Sequence, residues 1–129
     1  MTTNQAAAWV AAKLKAISGF GNRVFPDAAP KGTANPCAIY QRIDGEREAR
    51  IDPGAAADGM VVFQIRIYAA KRKDAGELME AARQAMAGHE PENLTGWRLD
   101  GTAWGDGDDQ HDKESGDYGS TAVIEVHGE

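Results

Sequence analysis

Cysteine is nearly absent from this chain: Cys37 is the only one in 129 residues. A single thiol excludes an intrachain disulfide and any metal site built from several cysteines, and it fits a reducing compartment. Histidine is scarce as well. His89, His111 and His127 do not form the two-histidine spacing that makes a zinc motif specific. His89 reads as a solvated residue after a helix, and His127 as an outward residue of a last strand. There is no long apolar run. The N-terminal stretch MTTNQAAAWVAAKLKAIS reads as neither a signal peptide nor a membrane span. There is no excess of base, and the net charge of −6 argues against generic nucleic-acid binding, which needs a basic surface. No phosphate-cradling loop is present, because no strand leads into GFGNRV and no helix directly follows it. No nucleophile elbow surrounds Ser18, Ser115 or Ser120, and no histidine is placed by sequence to activate them. Cys37, next to Pro36, reads as a small buried residue rather than a reactive thiol.

What is present suits one domain over residues 1–129. With 42% hydrophobic residues, a chain of this length buries roughly two-thirds of its unfolded surface and needs neither disulfide nor metal to fold. The charge is unevenly placed. Residues Asp100 to Asp117 hold seven acids and one base, while the remainder is balanced at thirteen of each. One acidic segment therefore sits on a body with no net charge.

Periodicity predicts a first helix over 5–18, with Trp9, Val10, Leu14 and Ile17 on one stripe and Gly19 and Gly21 ending it. Residues 20–36 read as an extended connection held open by Pro26 and Pro30, with Val24 and Phe25 dipping into the core. CAIYQRIDGE, 37–46, alternates as a strand and closes on the hairpin signal Asp44-Gly45, with a return arm over 46–51. The stretch 60–70 is the clearest strand. Val61, Phe63, Ile65 and Ile67 make its apolar face, and its other face is half-apolar, suiting a second cover or a partner subunit. Asp74, three residues before Glu77, reads as the cap of a second helix closed by Gly88, with Leu78, Met79, Ala82, Ala85 and Met86 inward. Two further strands are expected at 97–104 and 120–128. The fold class is therefore α+β, a mainly antiparallel sheet of four to five strands with two helices on one face. Trp97 and Trp104 have an odd separation, which on a regular strand points them to opposite faces; the one away from the core would suit an interface.

Two readings compete for GDGDDQHDKESGDY, 105–118. Asp106, Asp108, Asp109 and Asp112, with His111, could hold a divalent ion in a small metal-binding domain or hydrolase, but the spacing fails the calcium-loop pattern after Asp108. The other reading is a solvated hairpin arm whose charge resists edge pairing, leading into the last strand. The basic stretch Lys71, Arg72 and Lys73 is either a solvated turn or a docking patch for an acidic surface. These residues, with Trp104 and the four aspartates, are the interface candidates.

Several stretches, in order, resemble small phage tail-completion proteins of the tail-terminator or tail-to-head joining type, found in long-tailed phages and prophages. They are the helix AAAWVAAKLKAI, then VFPDAAPKGTANPCAIYQRIDGE, then the strand-to-helix run FQIRIYAAKRKDAGELMEAARQAM, and last DQHDKESGDYGSTAVIEV. The resemblance covers nearly the whole chain, and the order of elements carries it more than any one motif. GTAWGDGDDQHDKE is more acidic than the pattern needs. The resemblance implies a structural role without catalytic residues or cofactors. Subunits of this kind form a ring, typically of six copies, that caps the head-proximal end of the tail tube, stops its elongation and meets the head connector. The implied partners are further copies of the chain, the tail tube protein and the connector protein, with no nucleic-acid sequence recognition and no membrane. The implied location is the virion tail, and the host cytoplasm during assembly. A host-encoded interaction domain with no phage link is a third reading, which neighbouring tail and connector genes would separate from the first.

Overall fold

The computed structural model describes residues 1–43, 59–113 and 116–129. The expected Asp44-Gly45 hairpin, its return arm and Ser115 lie outside the described residues. Among the described residues two helices and six strands follow in order: α1 (Thr3–Lys15), β1 (Val24–Pro26), β2 (Cys37–Arg42), β3 (Met60–Ala69), α2 (Arg72–Met86), β4 (Glu92–Leu94), β5 (Trp97–His111) and β6 (Tyr118–Gly128). The strands form one sheet in the order β1-β2-β3-β6-β5-β4. β1 runs parallel to β2, and every other neighbouring pair is antiparallel. The class is α+β as expected, but the sheet is mixed and has six strands rather than four or five. The two added strands are both three residues long, too short to show a period-two pattern.

α1 starts earlier than its apolar stripe suggests. Thr2 and Gln5 form a capping box, with Gln5 N–H donating to Thr2 Oγ1 at 3.1 Å and Thr2 N–H to Gln5 Oε1 at 2.8 Å. Two donors that the first turn leaves open are thereby satisfied. The helix also ends earlier, at Lys15, because a 3-10 turn over Ser18–Phe20 follows and buries Phe20. Asp74 does not cap α2 as expected. Lys71 occupies the cap position with no side-chain bond, and Asp74 lies inside the first turn, where a carboxylate still opposes the positive end of the helix dipole.

Both helices pack on one face of the sheet. Their residues Trp9, Val10, Leu14, Met79, Ala82 and Met86 join Ala38 of β2, the Val61/Phe63/Ile65/Ile67 face of β3, Leu99 of β5 and Ala122, Ile124 and Val126 of β6 in one buried cluster. Each large side chain in that cluster contributes roughly 1.5–3 kcal/mol by leaving water. The register holds them together, since Ile65 pairs with both Tyr40 and Ala122, and Phe63 with Ile124. On the opposite face Cys37 and Ile39 are also buried. Residues 28–30, 32 and 33 line an open pocket with them and with Tyr68, so the loop after β1 flanks that face.

A one-residue bulge in β5 corrects the expectation for the two tryptophans. Leu99 pairs with Gly128, but Gly101 pairs with His127, so Asp100 is the extra residue. The bulge shifts the side-chain alternation by one. Trp97, Leu99 and Trp104 therefore all face the helices, and both tryptophans pack half-buried against the core cluster. His89 is likewise not simply solvated. Its ring meets the Trp9 indole edge-on at a centroid distance of 5.3 Å, and the His89 backbone N–H donates to Thr102 Oγ1 at 3.0 Å. Among the described residues, no helix is long and apolar enough to cross a membrane.

Candidate interaction surface

The acidic segment is a strand rather than a loop. β5 continues to His111, pairing antiparallel with β6 along its length, and residues 105–113 are all exposed. It is the hairpin arm expected from the sequence, with the ladder running further into the acids than 104. A second bulge makes this possible. Asp106 pairs with Ala122 and Asp109 with Ser120, leaving one extra residue between them. Thr121 pins the bulge from the partner strand: its Oγ1 accepts from Asp108 N–H and donates to Asp108 C=O, both at 3.0 Å. Gly107 lets the two strands approach this closely, because a Cβ there would stand 2.7 Å from the Thr121 carbonyl oxygen.

The segment's carboxylates are separated by this geometry. Asp106 and Asp109 line a shallow cleft with Gly76, Glu80 and Arg83 of α2. Asp108 sits in the bulge, and Asp112 lies beyond the strand, its N–H donating to Asp117 C=O at 2.9 Å. Among the described residues, no group of three metal-ligating side chains converges. Inside the cleft Glu80, Arg83 and Asp106 already have partners. Arg83 donates to Glu80 Oε2 at 2.8 Å; this bond holds the Glu80 carboxyl below the usual range and raises the Arg83 guanidinium, which Asp106 also favours. Asp106 accepts from Trp104 Nε1 at 2.9 Å, which ties the half-buried indole to the acidic arm.

Lys71, Arg72 and Lys73 are exposed at the start of α2. Lys73 approaches Glu77 to 3.8 Å. Arg72 lies over the Tyr118 ring at 5.8 Å, and that ring stacks on His111 at 4.2 Å. The fold thus puts the basic patch beside the tip of the acidic hairpin in the same chain, a juxtaposition no local pattern could disclose. Asn35 ties the loop after β1 to the same end, its Nδ2 donating to Asp117 Oδ1 at 2.6 Å. Cys37 lies close by, buried, and its thiol is pushed up by burial and then by the Asp117 charge, with Arg23 pulling the other way. A thiol so placed is a poor nucleophile at neutral pH.

The geometry is thus an exposed charged arm with dispersed carboxylates. The model of the family described as tail completion protein gp17 matches residues 6–125. The chain belongs to the tail completion protein gp17 family. It is therefore a structural component of a phage-type tail and not an enzyme. A chain of the virion of a native gene transfer agent particle shares this fold, with a TM-score of 0.61 over 96% of this chain and 87% of that one at 18% identity. At that identity the likeness speaks for the fold alone. No curated protein matches the chain.

Proposed function

We propose that the protein, as a single domain over residues 1–129, closes the head-proximal end of the tail tube, halts its elongation and presents a surface to the head connector. It acts as a ring of copies, six in number as the family resemblance implies, assembled in the host cytoplasm before it becomes part of the virion tail. The observation that carries this reading is the long β5–β6 hairpin. Its inner half is built into the core by Leu99, Ile124 and Val126, while its outer arm is exposed and holds the concentrated negative charge. A rigid charged arm anchored in a core is what a contact between virion parts needs, since ordering it costs little on binding. Asp106, Asp108, Asp109 and Asp112, with Trp104 beneath them and Lys71, Arg72 and Lys73 beside them, form the proposed contact surface. Deleting the gene in the phage or prophage that carries it tests the reading. Over-long tails unattached to heads are expected by electron microscopy, and tails of normal length joined to heads would overturn it.

A further inference from the structure

Taken over the whole chain, charge differs between its two ends. Residues 1–43 hold one acid, Asp27, against five bases, a net of +4, while residues 89–129 hold eleven acids against Arg98 and Lys113, a net of −9. The sheet order places the strands of these two parts on opposite sides, while the start of α1 reaches across to Gly96 and Gly128. β1 and β2, with α1 packed on them, make one edge, and β6, β5 and β4 make the other. With strands about 4.8 Å apart, β1 and β5 stand roughly 20 Å from one another. The protein is thus polarised across its sheet.

The negative side also presents open backbone. β4 pairs with β5 only from Trp97 to Leu99, and among the described residues no strand pairs with the outer edge of β5 from Gly101 to His111. Such an edge is a template for another chain. Its charge selects which one. Two β5 edges brought together would repel, because both carry Asp106, Asp108 and Asp109, so a two-fold contact between them is disfavoured. The β1 side is its complement: Lys15 ends α1, which packs on β1 and β2, and Lys31 lies in the loop leaving β1, both exposed. Closed cyclic assemblies need two different, complementary patches on each copy, and charge complementarity sets such pairings.

We infer that the acidic outer edge of β5 docks on the basic β1 edge of a second copy, so that copies join head to tail. This rests on the proposed ring and names its interface. On the β1 side any strand ladder is short, as Pro26 has no N–H to give; the charges carry the recognition.

The test uses the full chain and sedimentation velocity over a range of concentrations. Reversal on one edge, Asp108→Lys with Asp109→Lys, is expected to weaken self-association about tenfold or more, as is reversal on the other, Lys15→Glu with Lys31→Glu. Among the described residues, none of these four side chains has a hydrogen bond or ion pair to lose. The four changes together in one chain should restore association, and so should an equal mixture of the two reversed proteins. Circular dichroism confirms that each variant folds. Association of either reversed protein at the wild-type level would overturn the contact, and so would failure of the combined variant to recover while folded. A wild-type monomer at every concentration would overturn it too. Tail length in the gene deletion reads the capping function separately, so over-long tails with a monomeric protein would leave that function standing while removing this interface.

Discussion

Gly107 holds the acidic arm in register by having no side chain. A methyl group there would press on the Thr121 carbonyl, 2.7 Å from its oxygen and 2.9 Å from its carbon. Gly107→Ala is expected to cost about 2 kcal/mol in urea unfolding. Gly105→Ala, which meets open space, should stay within about 0.5 kcal/mol of wild type. Cys37 offers a second check at this scale. Burial raises its thiol above the ordinary value, so a disulfide reagent should react with the folded protein at least about tenfold more slowly than with the chain unfolded in urea. The linkage has a definite sign. The folded value lies above the unfolded one, so the thiol's stabilising contribution is complete below about pH 8.5. It is lost as the pH climbs through the folded value. Cys37→Ala should flatten that alkaline decline in a pH series of urea midpoints.

Among the elements, β5 departs most from its sequence pattern, and the two bulges explain why. The Asp100 bulge turns Trp97 and Leu99 onto the face that Trp104 already shares. Deleting Asp100 would return the strand to simple alternation and turn Leu99, fully buried, away from the core. The expected cost is about 3–5 kcal/mol, read as a lowered urea midpoint and a weakened near-ultraviolet tryptophan signal. Asp100→Ala keeps the residue count and should cost less than about 1 kcal/mol. The helices and β3 were legible because each is long and one-sided. β1 and β4 were not, since three residues carry no period, and Asp74 misled because an acid in the first turn suits N3 as well as the cap.

For the whole molecule, polarity across the sheet predicts how assembly responds to solvent. Ligation by another copy stabilises the folded state by mass action. The melting temperature should therefore rise with protein concentration at about 50 mM salt, and the dependence should fade at about 500 mM, where the Debye length falls to a few ångströms. Scanning calorimetry at two concentrations and two salt levels checks this, and a concentration dependence that salt leaves untouched would point to apolar contacts instead.

Composition and pattern by themselves determined the α+β class, both helices, the apolar face of β3 and the exposed acidic arm, because each rests on side chains near in sequence: a 3.6 or two-residue period, or a run of like charge. The order of motifs also pointed to the tail-completion family. The tertiary structure alone decided the rest. Strand order brought a basic N-terminal part and an acidic C-terminal part to opposite edges, bulges chose the face of Trp97 and the approach of Gly107 to Thr121, and Arg72 came to lie over Tyr118. These depend on which distant segments become neighbours, and that is set by the packing of the whole sheet against its helices, which no local spacing encodes.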